Sequence, residues 1–276
     1  MSFFKNLFHK SAAPAHEADY RGYDDTYEGR PMFVYVDMAL THIAPVQGYD
    51  TYVAVLLEAS VNENRDEDPV DQEELRCLHL VESACAKEGR RLDAIYAGHV
   101  LATAAANMSL NFYCRAEDKT AIGGALSAAC TSAGRAPAKV IAVEDPNWDL
   151  YFERMFPDEY HLQTLNNADL LDELASHGDH CDKSREVRYW IHLKEVDQVK
   201  GLLEVALPQG FALSRTCDSR RERGMEGCTP ERPVTLELKK NLTPSLEALN
   251  ADAKFLIALA ATVDGHYDGC ESNLVK

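Results

Sequence analysis

Paired cysteines, phosphate loops and long apolar runs are all missing from this sequence. The eight cysteines (Cys77, Cys85, Cys114, Cys130, Cys181, Cys217, Cys228 and Cys270) include no C-x-x-C pair, which removes zinc ribbons and thioredoxin-type motifs. Gly123-Gly124 sits inside a helical pattern and runs on into Ala125-Leu126; with no Lys-Ser/Thr after it, there is no P-loop. A G-x-S-x-G nucleophile elbow is absent too. No apolar run approaches the roughly 18 residues of a membrane span. The opening MSFFKNLFHK lacks both the apolar stretch and the cleavage site of a signal peptide. Phe3, Phe4, Leu7 and Phe8 line up on one helical face, but so short a helix is marginal alone, so a frayed tail is expected. Without an export signal the thiols are expected reduced and the protein cytoplasmic. Cys77, Cys85 and Cys130 then serve as small hydrophobes.

What is present is an ordinary globular composition with a strong acidic bias. The 276 residues are 46% apolar and 26% charged, which excludes a disordered or fibrous chain and favours two domains. Lys plus Arg number 28 against 45 Asp plus Glu, a net charge of −17. Such a chain repels phosphates, so direct nucleic-acid binding is not expected, nor a membrane. The charge suits a basic protein partner.

Residues 1–30 read as a flexible segment, with Tyr20, Tyr23 and Tyr27 spaced among acids. A strand is expected over Met32–Met38 and another over Thr51–Leu57. Residues 58–74 carry eight acids against Arg65; they read as an exposed loop whose last acids enter the first turn of a helix. That helix, about Val70 to Lys87, buries Leu75, Leu78, Val81 and Cys85, and Gly89 is placed to stop it. Strands near Leu92–Val100 and Ser109–Arg115, a helix over Lys119–Ser132 and a strand from Lys139 complete a domain over 31–145. Asp145-Pro146 breaks the pattern, and a second domain is read over 146–276. It holds one or two helices up to His180, a strand over Val187–Leu193, a helix over Glu195–Leu207, strands over Phe211–Thr216 and Val234–Lys239, a helix over Ser245–Val263 and a short strand near Ser272–Val275. Thr243 and Pro244 are the expected N-cap and first helical position. Helix, strand, strand, helix recurs at an offset of roughly 125 residues, so the fold class expected is α+β, with two ferredoxin-like sandwich domains and mostly antiparallel sheets.

His177-Gly178-Asp179, Arg185-Glu-Val-Arg-Tyr-Trp-Ile191, Gly210-Phe211 and Tyr267-Asp268-Gly269 occur in that order. Together they make residues 147–275 resemble the regulator of ribonuclease E activity B family, with Cys270 where that family carries Trp. The first half resembles an uncharacterised bacterial domain found fused upstream of such modules. The resemblance implies a ferredoxin-like fold and a non-catalytic acidic protein that binds and inhibits the endoribonuclease.

Read as residues alone, Asp268-Gly269 is a tight-turn signal and Gly178-Asp179 a helix stop. His177, Asp179, His180, Cys181 and Asp182 are metal-ligand types without the i, i+4 spacing of a helical site, and a solvated loop explains them. His266, Asp268 and Cys270 alternate, but the turn signal argues against a shared face. No metal or other cofactor is expected. The stretch Arg215-Thr-Cys-Asp-Ser-Arg-Arg-Glu-Arg223 is locally basic and reads as a solvated loop. Residues 144–182 carry eleven acids against Arg154. The expected partner-binding groups are Asp149, Glu153, Asp158, Glu159, Asp169, Asp172, Glu173 and Asp179, imitating a phosphate backbone toward a basic nuclease. An acidic immunity protein is a version of the same idea. The alternative is an enzyme or a small-molecule or metal-binding protein with a site between the domains.

Overall fold

The computed structural model describes residues 16–60, 70–102, 106–221 and 227–275. The expected N-terminal tail, most of the acidic loop after Ser60, and Glu222 and Arg223 of the basic stretch lie outside them. The chain divides into two compact units, Met1–Phe156 and Pro157–Lys276.

The first unit contains β1 (Tyr20–Tyr27), β2 (Arg30–Asp37), β3 (Thr51–Glu58), α1 (Gln72–Arg91), β4 (Ile95–Ala102), β5 (Asn107–Cys114), α2 (Lys119–Ser132), β6 (Lys139–Glu144) and the short α3 (Asp149–Arg154). Its six strands lie in the order β1-β2-β4-β5-β3-β6, antiparallel at every pairing. From β3 onward this is the ferredoxin-like β-α-β-β-α-β order. One face of the sheet supplies Val53, Val55 and Leu57 and then Met108, Leu110, Phe112 and Cys114 at two-residue steps. The buried faces of α1 (Leu78, Val81, Cys85) and α2 (Ile122, Leu126, Cys130) close over them.

Three local expectations are corrected here. Residues 20–27 are no flexible segment: they form β1, paired along its length with β2. Tyr23 is buried, and its hydroxyl donates to the Met155 carbonyl at 3.0 Å. Gly89 does not stop α1, which continues to Arg91; a Cβ at Gly89 would lie 2.8 Å from the Phe112 ring, so glycine permits close helix–sheet approach. Asp145 does not end the unit either. Its buried carboxylate accepts from the Asp149 and Leu150 backbone N–H groups at 2.8 and 3.0 Å and from the Tyr113 hydroxyl at 2.6 Å, so it caps α3 from outside the helix. Trp148 stacks on Tyr113 with ring centres 3.8 Å apart and donates its indole N–H to the Tyr49 carbonyl at 2.8 Å. Trp148→Ala empties a site with 0% exposure and is expected to cost about 3–5 kcal/mol, measured by urea unfolding.

The second unit contains α4 (Glu159–Ser176), β7 (Arg185–Leu193), α5 (Gln198–Ala206), β8 (Ala212–Asp218), β9 (Val234–Leu242), α6 (Leu246–Ala261) and β10 (His266–Ser272). The strand order β10-β7-β9-β8 repeats that of β6-β3-β5-β4. The matching elements begin at Asn107, Lys119 and Lys139 in the first unit and at Val234, Leu246 and His266 in the second, at a constant offset. Val187, Tyr189, Ile191 and Leu193 of β7 and Val234, Leu236 and Leu238 of β9 pack beneath Leu202 of α5 and Leu249, Ala253, Leu256 and Ala260 of α6. The α6 N-cap is Ser245, whose hydroxyl accepts from Ala248 N–H at 3.2 Å, and not Thr243. Asp268-Gly269 is no hairpin turn. It lies within β10 at a register shift between Tyr267 and Gly269, where Gly269 takes φ +122°. No helix among the described residues is long and apolar enough to cross a membrane.

Candidate functional site

Strand alternation gives the second sheet two unlike faces. Opposite the core, β7 presents Arg188, Trp190 and His192, β9 presents Thr235, Glu237 and Lys239, and Arg215 of β8 pairs in register with Glu237. Helix α4 lies against α6 and the edge strand β10. Its C-terminal half packs Leu170, Leu171 and Leu174 toward the core. One and two turns earlier the same stripe carries amides, Gln163, Asn166 and Asn167. These amides, with Arg188, Trp190, Glu237, Asp268, Gly269, Cys270 and Glu271, line a cavity of about 500 Å³.

The polar groups in this wall are unevenly satisfied. Asn167 donates to Asn250 Oδ1 at 2.9 Å and accepts from the Cys270 thiol at 3.4 Å. Burial pushes that thiol up to about 12, so it is a protonated donor and not a nucleophile. Glu237 accepts from the Ser214 hydroxyl at 2.7 Å. The Arg188 guanidinium stands 3.2, 3.9 and 3.8 Å from Glu186, Glu237 and Glu271. Gln163 Oε1 and Trp190 Nε1, by contrast, are buried atoms with no hydrogen-bond partner among the described residues. A dry, unpaired polar atom costs about 1–3 kcal/mol. Gly269 makes room for the Gln163 carboxamide: a Cβ there would stand 3.3 Å from Oε1. Gly269→Ala is expected to destabilise the protein by about 1–3 kcal/mol through its positive φ and to shrink the cavity, read by thermal unfolding.

Beside the cavity lies an arrangement that sequence reasoning missed. His192, 1% exposed, places Nε2 3.1 Å from Asp268 Oδ2. Its Nδ1 is 3.1 Å from the Thr235 hydroxyl and 3.8 Å from Cys228 Sγ. Thiol, imidazole and carboxylate in series are the groups of a cysteine nucleophile. Here the hydroxyl of Thr235 holds Nδ1 more closely than the thiol does, and Cys228 Sγ itself contacts Thr235 Oγ1 at 2.8 Å. The imidazole is therefore a strut between strands β7, β9 and β10. The bulge at Gly269 brings Asp268 to it, and neither the bulge nor the resulting register is visible as a sequence motif.

The predicted partner-binding acids separate into distinct environments. Asp149 and Glu153 are exposed on α3, in the first unit. Asp158 is the N-cap of α4 and accepts from His161 N–H at 2.8 Å. Glu159 stands 3.1 Å from His266 Nδ1. Asp169, Asp172 and Glu173 form an exposed acidic face on the C-terminal half of α4, with Glu173 3.3 Å from His177. Asp179 is not at the surface at all. Its carboxylate is buried against the Arg185 guanidinium and accepts from the Cys181 and Val275 backbone N–H groups, each at 2.8 Å. The Arg185 guanidinium, then these N–H groups, hold it well below the usual carboxylate range. The expectation that Asp179 contacts a partner is corrected accordingly. The same pairing takes Asp179 out of the 177–182 cluster. Among the described residues no group of three or more His, Cys, Asp or Glu is placed to hold a metal ion. In the basic stretch, Arg220 is bound to Asp218 and Glu195, and Arg221 lies 3.6 Å from Asp218.

Comparison with known proteins divides the chain as the fold does. Residues 19–156 match the model of a family of unknown function, DUF695. Residues 164–272 match the model described as regulator of ribonuclease activity B. No curated protein matches the chain. Among solved structures, an unknown protein from Galdieria sulphuraria is similar at 10% identity with a TM-score of 0.21, over 81% of this chain and 98% of that one.

Proposed function

Since the chain belongs to the family of unknown function DUF695 through its first half and carries a regulator of ribonuclease activity B domain after it, we propose that it is a non-catalytic regulator that binds a ribonuclease, of the ribonuclease E kind, or its RNA-degrading assembly, and inhibits it. The match over residues 164–272 carries this reading. It spans α4 from its second turn, the ferredoxin-like sheet, and the acidic face made by Asp169, Asp172 and Glu173. Carboxylates on a rigid helix face present negative charge at fixed spacing, which suits the basic surface of an RNA-binding partner. Such contacts raise the encounter rate and weaken as salt screens them over a Debye length of about 8 Å. Asp149 and Glu153, exposed on α3, are further acidic candidates on the first unit.

The test is a pull-down with the purified full chain as bait. The partner is expected to carry ribonuclease activity, to be retained at about 50 mM salt and to be released at about 300 mM. A retained protein without ribonuclease activity, or retention of nucleic acid alone, contradicts the reading.

A further inference from the structure

Two residues that line one cavity carry, among the described residues, an unpaired donor and an unpaired acceptor in want of a ligand. Gln163 is 94% buried, being 6% exposed, and among the described residues neither its Oε1 nor Trp190 Nε1–H has a partner. Both residues line the cavity between α4 and the open sheet face. A peptide unit offers the complement, one C=O and one N–H. The cavity's charge narrows the choice. Its wall holds Arg188 against Glu237, Asp268 and Glu271, and Arg188 is already within 4 Å of three carboxylates. A phosphate entering here meets net negative charge; a cation meets attraction, with the half-buried Trp190 ring beside it for a cation–π contact. The volume of about 500 Å³ falls in the usual range for ligand sites.

We infer that this cavity binds an extended segment of a partner protein carrying a basic side chain, with the segment's backbone C=O received by the Trp190 indole N–H and its backbone N–H by the Gln163 carboxamide. The terminal torsion of Gln163 is soft, so the carboxamide turns to the ligand at little cost. The inference rests on the reading of the protein as a partner-binding regulator, and it names the part of the partner that is gripped. It also explains why a buried amide remains unsatisfied in the free protein.

The test uses the two indole signals as reporter and control. The chain has two tryptophans, and Trp148 already donates to Tyr49. The full-length protein, labelled with nitrogen-15, is titrated with a pool of acetylated, amidated pentapeptides that have Arg at the centre and randomised flanks, then with the same pool centred on Glu, then with a mixed-sequence oligoribonucleotide. The Arg pool is expected to shift the Trp190 Nε1–H signal downfield and leave that of Trp148 in place, with at least tenfold weaker response to the Glu pool. Gln163→Leu is expected to weaken the Arg-pool response at least tenfold while the melting temperature holds or rises, because the orphan acceptor is gone. A silent Trp190, an equal response to both pools, a response to the oligoribonucleotide alone, or an unchanged response in Gln163→Leu overturns the inference. Failure of the two readings is distinguishable. A ribonuclease captured by a protein whose Trp190 stays silent overturns the cavity and keeps the regulator; an Arg-pool response with no ribonuclease captured does the reverse.

Discussion

Arg185→Ala is expected to lower the melting temperature of the second unit by about 10 °C or more. The reason is an asymmetry of buried ion pairs. Arg185 and Asp179 side chains are 4% and 0% exposed, and removing one partner leaves the other charged, buried and unpaired. The pair also ties three pieces of chain together. Asp179 follows α4, Arg185 begins β7, and both reach the segment after β10, Asp179 through Val275 N–H and Arg185 through the Asn273 carbonyl at 3.3 Å. Asp179→Asn keeps an acceptor for the backbone N–H groups and is expected to cost less than Asp179→Ala. The pH dependence follows from the depressed pKa of Asp179, whose main cause is Arg185. A depressed carboxyl contributes stability that is complete above the unfolded pKa of about 4 and is lost as pH falls below it. Thermal unfolding between about pH 5 and pH 2 checks this: the steep loss in the wild type is expected to flatten in Asp179→Asn.

The second large effect concerns binding. Asp169→Lys, Asp172→Lys and Glu173→Lys together are expected to weaken partner affinity about 100-fold at low salt, chiefly through a slower association rate. Each substitution turns an attraction of about 0.5 kcal/mol between exposed charges into a repulsion of similar size, so the three together account for about 3 kcal/mol. All three side chains are exposed, so the fold is expected to tolerate them, with thermal unfolding as the control. Above about 0.3 M salt the variant and the wild type are expected to converge. Equal affinity at low salt removes the acidic face of α4 from the interface.

The elements written in strong periodicity were legible in the sequence. The short continuous apolar run Thr51–Leu57 marks β3, and the helical stripe of Leu246, Leu249, Ala253 and Leu256 marks α6. The recurrence of helix, strand, strand, helix at one offset marks two similar halves in the sequence itself. What escaped reading depends on contacts distant in sequence. Tyr20–Tyr27 looks like a polar linker until β2 is there to pair with it. Asp145 looks like a chain break until Tyr113 and the first turn of α3 are seen to converge on its carboxylate. Asp179 reads as one more surface acid, and only tertiary structure brings Arg185 to it. The cavity was least legible of all. Gln163 and Trp190 belong to different elements, and the bulge that opens space beside them is a backbone event at one glycine.

The central claim is that this molecule acts by occupying a partner and not by making or breaking bonds. The most direct measurement is a titration of ribonuclease activity with the wild-type chain and, in parallel, with His192→Gln and Cys228→Ser, both variants first shown to be folded. The account predicts inhibition that saturates at a fixed molar ratio of protein to ribonuclease, with the same end point for all three proteins. Inhibition completed by a small fraction of an equivalent, or abolished by Cys228→Ser, contradicts it.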